Sequence, residues 1–174
     1  MVRPSSRERI VDAALRAFAA AEGDVTVDAV ARVAGVTKQG VLYHFADKRE
    51  LRLAMLDAVL RRWERHMEAE LGAPLADVEV GARIRAYARV SARGDVVPGE
   101  AELFAQVLAH ADEATVYAAW VESTFAASDD AHLTTAWLAA NSLWSTLATG
   151  KRRLGPAEVE RVLAVIDELT QAAR

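Results

Sequence analysis

The chain has 174 residues, 52% of them hydrophobic, and no cysteine. That allows one or two units with a buried core and argues against intrinsic disorder; it excludes disulfides, thiolate zinc sites and cysteine nucleophiles, and fits a reducing cytoplasm. The formal charge of −4 argues against a polyanionic partner, yet residues 1–62 carry 11 Lys/Arg and 8 Asp/Glu, a net +3, while residues 63–174 carry 10 and 17, a net −7. A basic head on an acidic body suggests that the head meets a polyanion and the body does not.

No apolar run reaches the roughly eighteen residues that a bilayer span needs. The opening MVRPSSRERI has no apolar stretch behind its basic residues, so no secretory leader is expected and the chain is expected to be cytoplasmic.

Helical spacing dominates, and no alternating Val/Ile/Thr-rich run points to a sheet. Ser5 and Glu8 read as a capping box that opens the first helix, with Pro4 just outside it. Ile10, Ala14, Ala17 and Phe18 then form one apolar stripe, and Gly23 ends the helix. Thr26 is the expected N-cap of a short second helix from Val27 to Ala34, which buries Val27, Val30 and Ala31. Gly35 follows, where a tight turn needs positive φ. Thr37 is the expected cap of a third short helix, Lys38 to Phe45, with Val41, Leu42 and Phe45 facing inward.

Asp47 and Glu50 form another cap pair and open a long fourth helix from Lys48 to about Leu71, stopped by Gly72 and Pro74. At 1.5 Å per residue it would run roughly 35 Å, long enough to join two units. Further helices are expected at about 76–93, 99–110, 113–126, 129–148 and 156–173. Gly94-Asp95 and Pro98-Gly99 mark the first break; Asp112 and Ser128 are expected caps; Gly150 and Gly155-Pro156 separate the last two helices.

Two short helices joined by a Gly-containing turn, inside a basic N-terminal unit, describe a helix-turn-helix. Its second helix must enter a major groove about 12 Å wide and bring its N-terminal residues to base edges. Residues 25–56, VTVDAVARVAGVTKQGVLYHFADKRELRLAML, resemble the DNA-binding domain of the TetR (tetracycline repressor) family. The likeness lies in Ala34-Gly35-Val36-Thr37-Lys38, in Leu42-Tyr43-His44-Phe45, and in Lys48 followed by Leu51. It extends back to Arg9-Ile10, Ala13-Ala14 and Phe18.

The resemblance implies an all-α fold of about nine helices. An N-terminal three-helix helix-turn-helix domain would be joined by the long helix to a C-terminal bundle for dimerisation and ligand binding. The expected division is 1–50 for DNA binding and 51–174 for effector binding and dimerisation. The resemblance also implies site roles. Thr37, Lys38, Gln39 and Gly40 would face base edges; Lys38 can donate to guanine O6/N7, and Gln39 can pair with adenine N6/N7. Gly40 weakens the helix by about 1 kcal/mol relative to Ala, for which close approach to the groove floor is one reason. Tyr43, His44 and Thr26 would donate to phosphates, and Lys48 opens a helix whose positive dipole end favours one. Gln39 departs from the glycine or small residue that the family often carries there, which bears on base preference. Plainer roles stand beside these. Tyr43 could pack half-buried, His44 could be a simple helix-end residue, and Arg3, Arg7 and Arg9 could brush the DNA backbone or merely solubilise the arm.

In this family the remaining chain usually dimerises and often holds an effector. Leu133, Trp137, Ala140, Trp144 and Leu147 form one stripe, and Val159, Val162, Leu163, Ile166 and Leu169 another. Two adjacent antiparallel helices suit a symmetric four-helix interface, with closure of the monomer core as the plainer role for the stripes. Phe104, Tyr117, Trp120, Phe125, Trp137 and Trp144 could line a pocket, with Tyr87, His110, His132 and Asn141 as polar partners. Plain core is the competing role for such aromatics. Asn141 interrupts an apolar segment and would need a partner if buried.

No enzyme is expected. The four histidines, His44, His66, His110 and His132, are scattered with no HxxxH or HExxH spacing, and no phosphate or nucleophile motif appears. His66 with Glu70 reads as a solvated helix pair rather than a metal site. No cofactor and no metal are expected. The expected partners are operator DNA, a second copy through the last two helices, and a small apolar or aromatic effector, with no membrane. The function read from the sequence is a repressor that binds a palindromic operator as a homodimer and is released by a small molecule. The alternative is a DNA-binding regulator whose body meets a protein partner and has no pocket. A helical-bundle enzyme with a vestigial head lacks any catalytic constellation.

Overall fold

The computed structural model describes residues 5–20, 26–94, 99–125, 130–150 and 152–173. Arg3, Pro4, Gly23, Asp95, Pro98 and Ser128 lie outside the described residues. The described residues form nine α-helices and one short 3₁₀ turn, with no strand among them. The helices are α1 (Ser6–Ala20), α2 (Val27–Ala34), α3 (Lys38–His44), α4 (Lys48–Leu71), α5 (Val80–Ala92), α6 (Glu100–Leu108), α7 (Ala111–Phe125), α8 (Ala131–Thr149) and α9 (Pro156–Ala172). Among the described residues no helix is long and apolar enough to cross a membrane.

Two compact units divide the chain: Met1–Leu60 with Val97–Val116, and Arg61–Val96 with Tyr117–Arg174. The boundary expected between residues 50 and 51 falls in the first turn of α4. Both α4 and α7 contribute residues to each unit.

The first unit starts from the expected capping box. Ser5 N–H donates to Glu8 Oε2 at 2.6 Å and Glu8 N–H to Ser5 Oγ at 3.2 Å. This satisfies two of the N–H groups that a helix start leaves open. The apolar stripe of α1 buries Ile10, Ala14, Ala17 and Phe18 as α1 packs on α2, and Val30 and Ala31 of α2, Val41 of α3 and Phe45 are buried in the same unit. The Arg7 guanidinium lies 4.8 Å over the Phe45 ring, so this arginine packs on the core edge rather than only solubilising the arm. α6 also packs on α1, and Gly99 permits it. Its φ is 84°, and a Cβ there would lie 2.7 Å from Ala19 N and 2.9 Å from Leu15 O. A side chain would meet rigid helix backbone as well as left-handed strain.

The second unit packs α8 on α5 and α9, and α5 on α9. Met67, Ile84, Ala88, Ala136, Ala140 and Ile166 are buried at its centre. Arginines on α5 and at its C-cap tie its edges. Arg85 donates to Thr170 Oγ1 at 2.8 Å, Arg89 pairs with Asp167 at 3.2 Å, and Arg93 pairs with Glu70. Glu70 is thus held by arginine, rather than by the solvated pairing with His66 that the sequence suggested.

Element ends differ from expectation in identifiable ways. α5 begins at Val80 because a 3₁₀ turn, Leu75–Asp77, precedes it. α7 begins at Ala111, with the His110 carbonyl accepting from Glu113 N and Ala114 N. Asp112 is therefore inside the first turn, not the cap. Asp130 caps α8, its Oδ1 accepting from His132 N at 2.7 Å and Leu133 N at 3.3 Å.

Candidate nucleic-acid interface

The front of α3 is built from backbone upward. Gly35 closes α2 at φ 67°, its N–H reaching the Ala31 and Arg32 carbonyls, and so turns the chain sharply into Thr37. Thr37 is extended and its Oγ1 accepts from Gly40 N at 3.0 Å. Thr26 does the same for α2, accepting from Ala29 N at 3.1 Å. Each hydroxyl oxygen is used as a cap acceptor, which leaves its O–H free to donate to a phosphate or base. Each residue thus caps its helix and still keeps one donor.

Lys38 and Gln39 follow the Thr37 cap, both exposed. Gly40 has a packing reason besides any contact role, since a Cβ there would meet Thr37 Oγ1 at 3.3 Å and Val36 Cβ at 3.6 Å. The helix then alternates sharply between outside and inside. Val41 is buried and Tyr43 is 86% exposed, while Phe45 is only 1% exposed. Leu42 is half-buried, a partial departure from the inward position expected for it. His44 is half-buried and meets the Tyr43 ring edge-on at 5.2 Å between centroids. A seven-residue helix cannot hold itself in water. Val41 and Phe45 pin α3 to the core, and that frees the opposite face for the polar set.

Lys48 is exposed at the first position of α4. Asp47 Oδ1 accepts from Glu50 N at 2.7 Å, and Glu50 Oε2 reaches back to Ala46 N at 2.8 Å. Farther along α4, Arg52 grips Glu113 at the start of α7 through two N–H groups, one of them Nε to Oε2 at 2.8 Å. Glu113 is 1% exposed on its side chain and Arg52 15%. Arg49 pairs with Asp112 beside them at 2.7 Å, and this holds the Asp112 carboxyl below the usual aspartate range. Sequence reading missed this double clamp because its partners lie more than sixty residues apart.

The expected effector residues divide between the units. Phe104 is buried in the first unit, and His110 is exposed there with Nδ1 2.8 Å from Gln106 O. Tyr87, Tyr117, Trp120, Trp137, Asn141 and Trp144 belong to the second unit. There Trp63, which the sequence reading did not include among these aromatics, meets Tyr87 at 4.9 Å and Trp144 at 6.5 Å between ring centroids. Phe125 joins Tyr87 at 5.2 Å and Trp120 at 5.4 Å. Tyr117 stacks on Trp120 at 6.1 Å, and Trp120 Nε1 donates to Glu64 at 2.8 Å. Asn141 Oδ1 accepts from the Tyr87 and Tyr117 hydroxyls at 3.3 and 3.4 Å, the partners that its position in an apolar segment calls for. Burial pushes the Tyr117 phenol up to about 12. Trp137 is half-buried and His132 exposed on α8.

An outward polar front on a core-pinned short helix, preceded by a capped partner helix and a left-handed glycine turn, defines a helix-turn-helix domain of the nucleic-acid-binding class. Residues 10–55 match the family described as "Bacterial regulatory proteins, tetR family". The HTH-type transcriptional regulator SrpR of Pseudomonas putida is 41% identical over 68 residues, which cover 38% of this chain and 32% of that protein. The HTH-type transcriptional regulator TtgW, also of Pseudomonas putida, is 42% identical over 69 residues, 38% of this chain and 51% of that protein. The match thus spans about a third to a half of these relatives' length. The multidrug binding protein EbrR, solved in complex with imidazole, superposes with a TM-score of 0.69 at 25% identity, covering 96% of both chains. A TetR-like transcriptional regulator from Rhodococcus sp. RHA1 shares the fold, with a TM-score of 0.64 at 15% identity over 98% of this chain and 96% of that one. Over its helix-turn-helix stretch the chain is therefore similar to the tetR family of bacterial regulatory proteins.

Proposed function

We infer that the chain is a transcriptional repressor that binds a palindromic operator as a homodimer and is released by a small apolar or aromatic molecule. The observation that carries this reading is the contrast on α3, where Tyr43 stands 86% exposed two residues before Phe45, 1% exposed. A tyrosine so placed adds nothing to the core and has a phenol ready for a phosphate. Thr37, Lys38, Gln39 and Gly40 would read base edges, and Thr26, Tyr43, His44 and Lys48 would hold the backbone.

Pairing through α8 and α9 is supported by apolar surface that the monomer leaves uncovered. Leu138 is 52% and Val165 50% exposed. A groove of about 530 Å³ runs between the two helices over Ala139, Leu143, Leu154, Val162 and Val165. Two copies joined there would set two α3 helices about one helical turn, 34–36 Å, apart. The effector would enter the aromatic group around Asn141, and the flat imidazole with EbrR is in keeping with that chemistry. A differential affinity for the two states, worth about 1–3 kcal/mol, would loosen DNA binding 5- to 150-fold. The second reading, a body that binds a protein partner, draws on the close mutual contact of Trp63, Tyr87, Phe125 and Trp144. Rings that touch one another fill space that a ligand would need.

Selection of bound duplexes from a random DNA pool at fixed salt tests the main reading. A palindrome with half-sites one turn apart is expected. Sequence-blind retention, or none, would contradict it.

A further inference from the structure

Lys38, the lysine placed to read guanine, is not a free cation. Its Nζ sits 2.9 Å from Asp28 Oδ2, and the side chains are 56% and 66% exposed. Asp28 belongs to the first turn of α2, two residues after Thr26. A carboxylate beside residues meant for a polyanion is unfavourable unless it does something there. Folding gains little from it, because a solvent-exposed pair contributes little to stability. An acid near the N-terminus of α2 adds a modest dipole interaction.

We propose that Asp28 is a specificity-determining residue of the interface, holding Lys38 so that its ammonium is not available to any passing phosphate. The proposal rests on the DNA-binding reading above. An unheld lysine at the tip of a groove-facing helix binds every duplex alike, since phosphate attraction is blind to sequence. An ammonium has three N–H donors. At a matching guanine, Lys38 can keep Asp28 with one and donate to O6 and N7 with the others. At other sequences it stays on Asp28, and the pair presents almost no net charge to the duplex. Asp28 thereby weakens non-specific binding more than specific binding, which raises the ratio between them.

The test uses the full chain with Asp28→Asn, Lys38→Met and the double variant. Affinities are measured across a salt series on the duplex selected from the pool and on a scrambled duplex of equal composition. Thermal melts check that all four proteins are folded. Asp28→Asn is expected to tighten binding to the scrambled duplex about tenfold and to the selected one about two- to threefold. The salt slope on the scrambled duplex should steepen by about one phosphate contact. In the Lys38→Met background the same substitution should leave the ratio between duplexes unchanged. Equal gains on both duplexes would reduce Asp28 to general repulsion and overturn the proposal. So would an unchanged ratio with Lys38 present, or an equal fall in the ratio without Lys38. Weaker binding of the selected duplex alone would also overturn it, and would assign Asp28 to a cytosine N4 amine instead. If the wild-type chain retains no duplex from the pool, the DNA-binding reading itself fails, and that result is visible before any variant is made.

Discussion

The two units treat similar side chains in opposite ways. In the first, Thr37, Lys38, Gln39 and Tyr43 point away from the core, and their backbone is fixed from below by Val41 and Phe45. In the second, Tyr87, Tyr117 and Asn141 turn toward one another, and the surrounding rings close over them. Apart from the Thr37 cap, polar groups that face outward can change with little effect on stability. Polar groups that face inward are held by the energetics of burial. Substitutions at the two kinds of position test that division.

The sharpest contrast lies within α3 and its cap. Phe45→Ala should cost about 3–5 kcal/mol, as buried aromatic truncations do. Tyr43→Ala should cost less than about 0.5 kcal/mol, yet weaken binding to selected and scrambled duplexes alike by about tenfold. Urea unfolding and DNA titration read the two effects separately. If Tyr43→Ala destabilised the fold as much as Phe45→Ala, its exposed position would be misread.

The buried clamp comes next. Arg52→Ala strands the Glu113 carboxylate, which is 1% exposed, and should cost about 3 kcal/mol. Glu113→Ala should cost less, because Arg52 retains partial access to water. Equal losses in urea unfolding would mean that Glu113 finds another partner or a proton. In the second unit, Asn141→Leu removes the shared acceptor from two phenols through long hydrogen bonds and should cost about 1 kcal/mol.

The smallest effect at ordinary pH concerns Tyr117, whose phenol burial raises to about 12. The unfolded chain loses this proton near the ordinary tyrosine value of about 10, while the folded chain keeps it. The stability contribution is therefore complete below pH 10 and is lost between 10 and about 12. A pH series of urea midpoints should show this alkaline loss, and Tyr117→Phe should diminish it. At the acid end, Glu8 and Glu158 are held below the usual glutamate range by backbone N–H groups of Ser5 and Gly155. Their contributions are present above that range and lost as pH falls through the lowered values.

Much of the first unit was legible because its signals are local. Ser5 with Glu8, Thr26 and Thr37 each cap within three residues, and the stripe Ile10–Ala14–Ala17–Phe18 needs only helical periodicity. What escaped depends on distant parts of the chain. In the sequence Gly99 marks a loop, but its close approach to Ala19 explains why α6 and the start of α7 join the first unit. Asp112 looked like a cap because it precedes an apolar segment; its carboxylate instead reaches Arg49 across the unit. The Lys38–Asp28 pair joins two helices through a turn, and no spacing rule for one helix would reveal it.

Hydroxyl-radical footprinting of the chain on its selected duplex would locate α3 on the DNA. Two protected patches are expected on one face of the DNA, centred about one helical turn apart, and both should fade when Thr37, Lys38 and Gln39 are replaced together. Even cleavage along the duplex, or protection unchanged by those replacements, would contradict that placement.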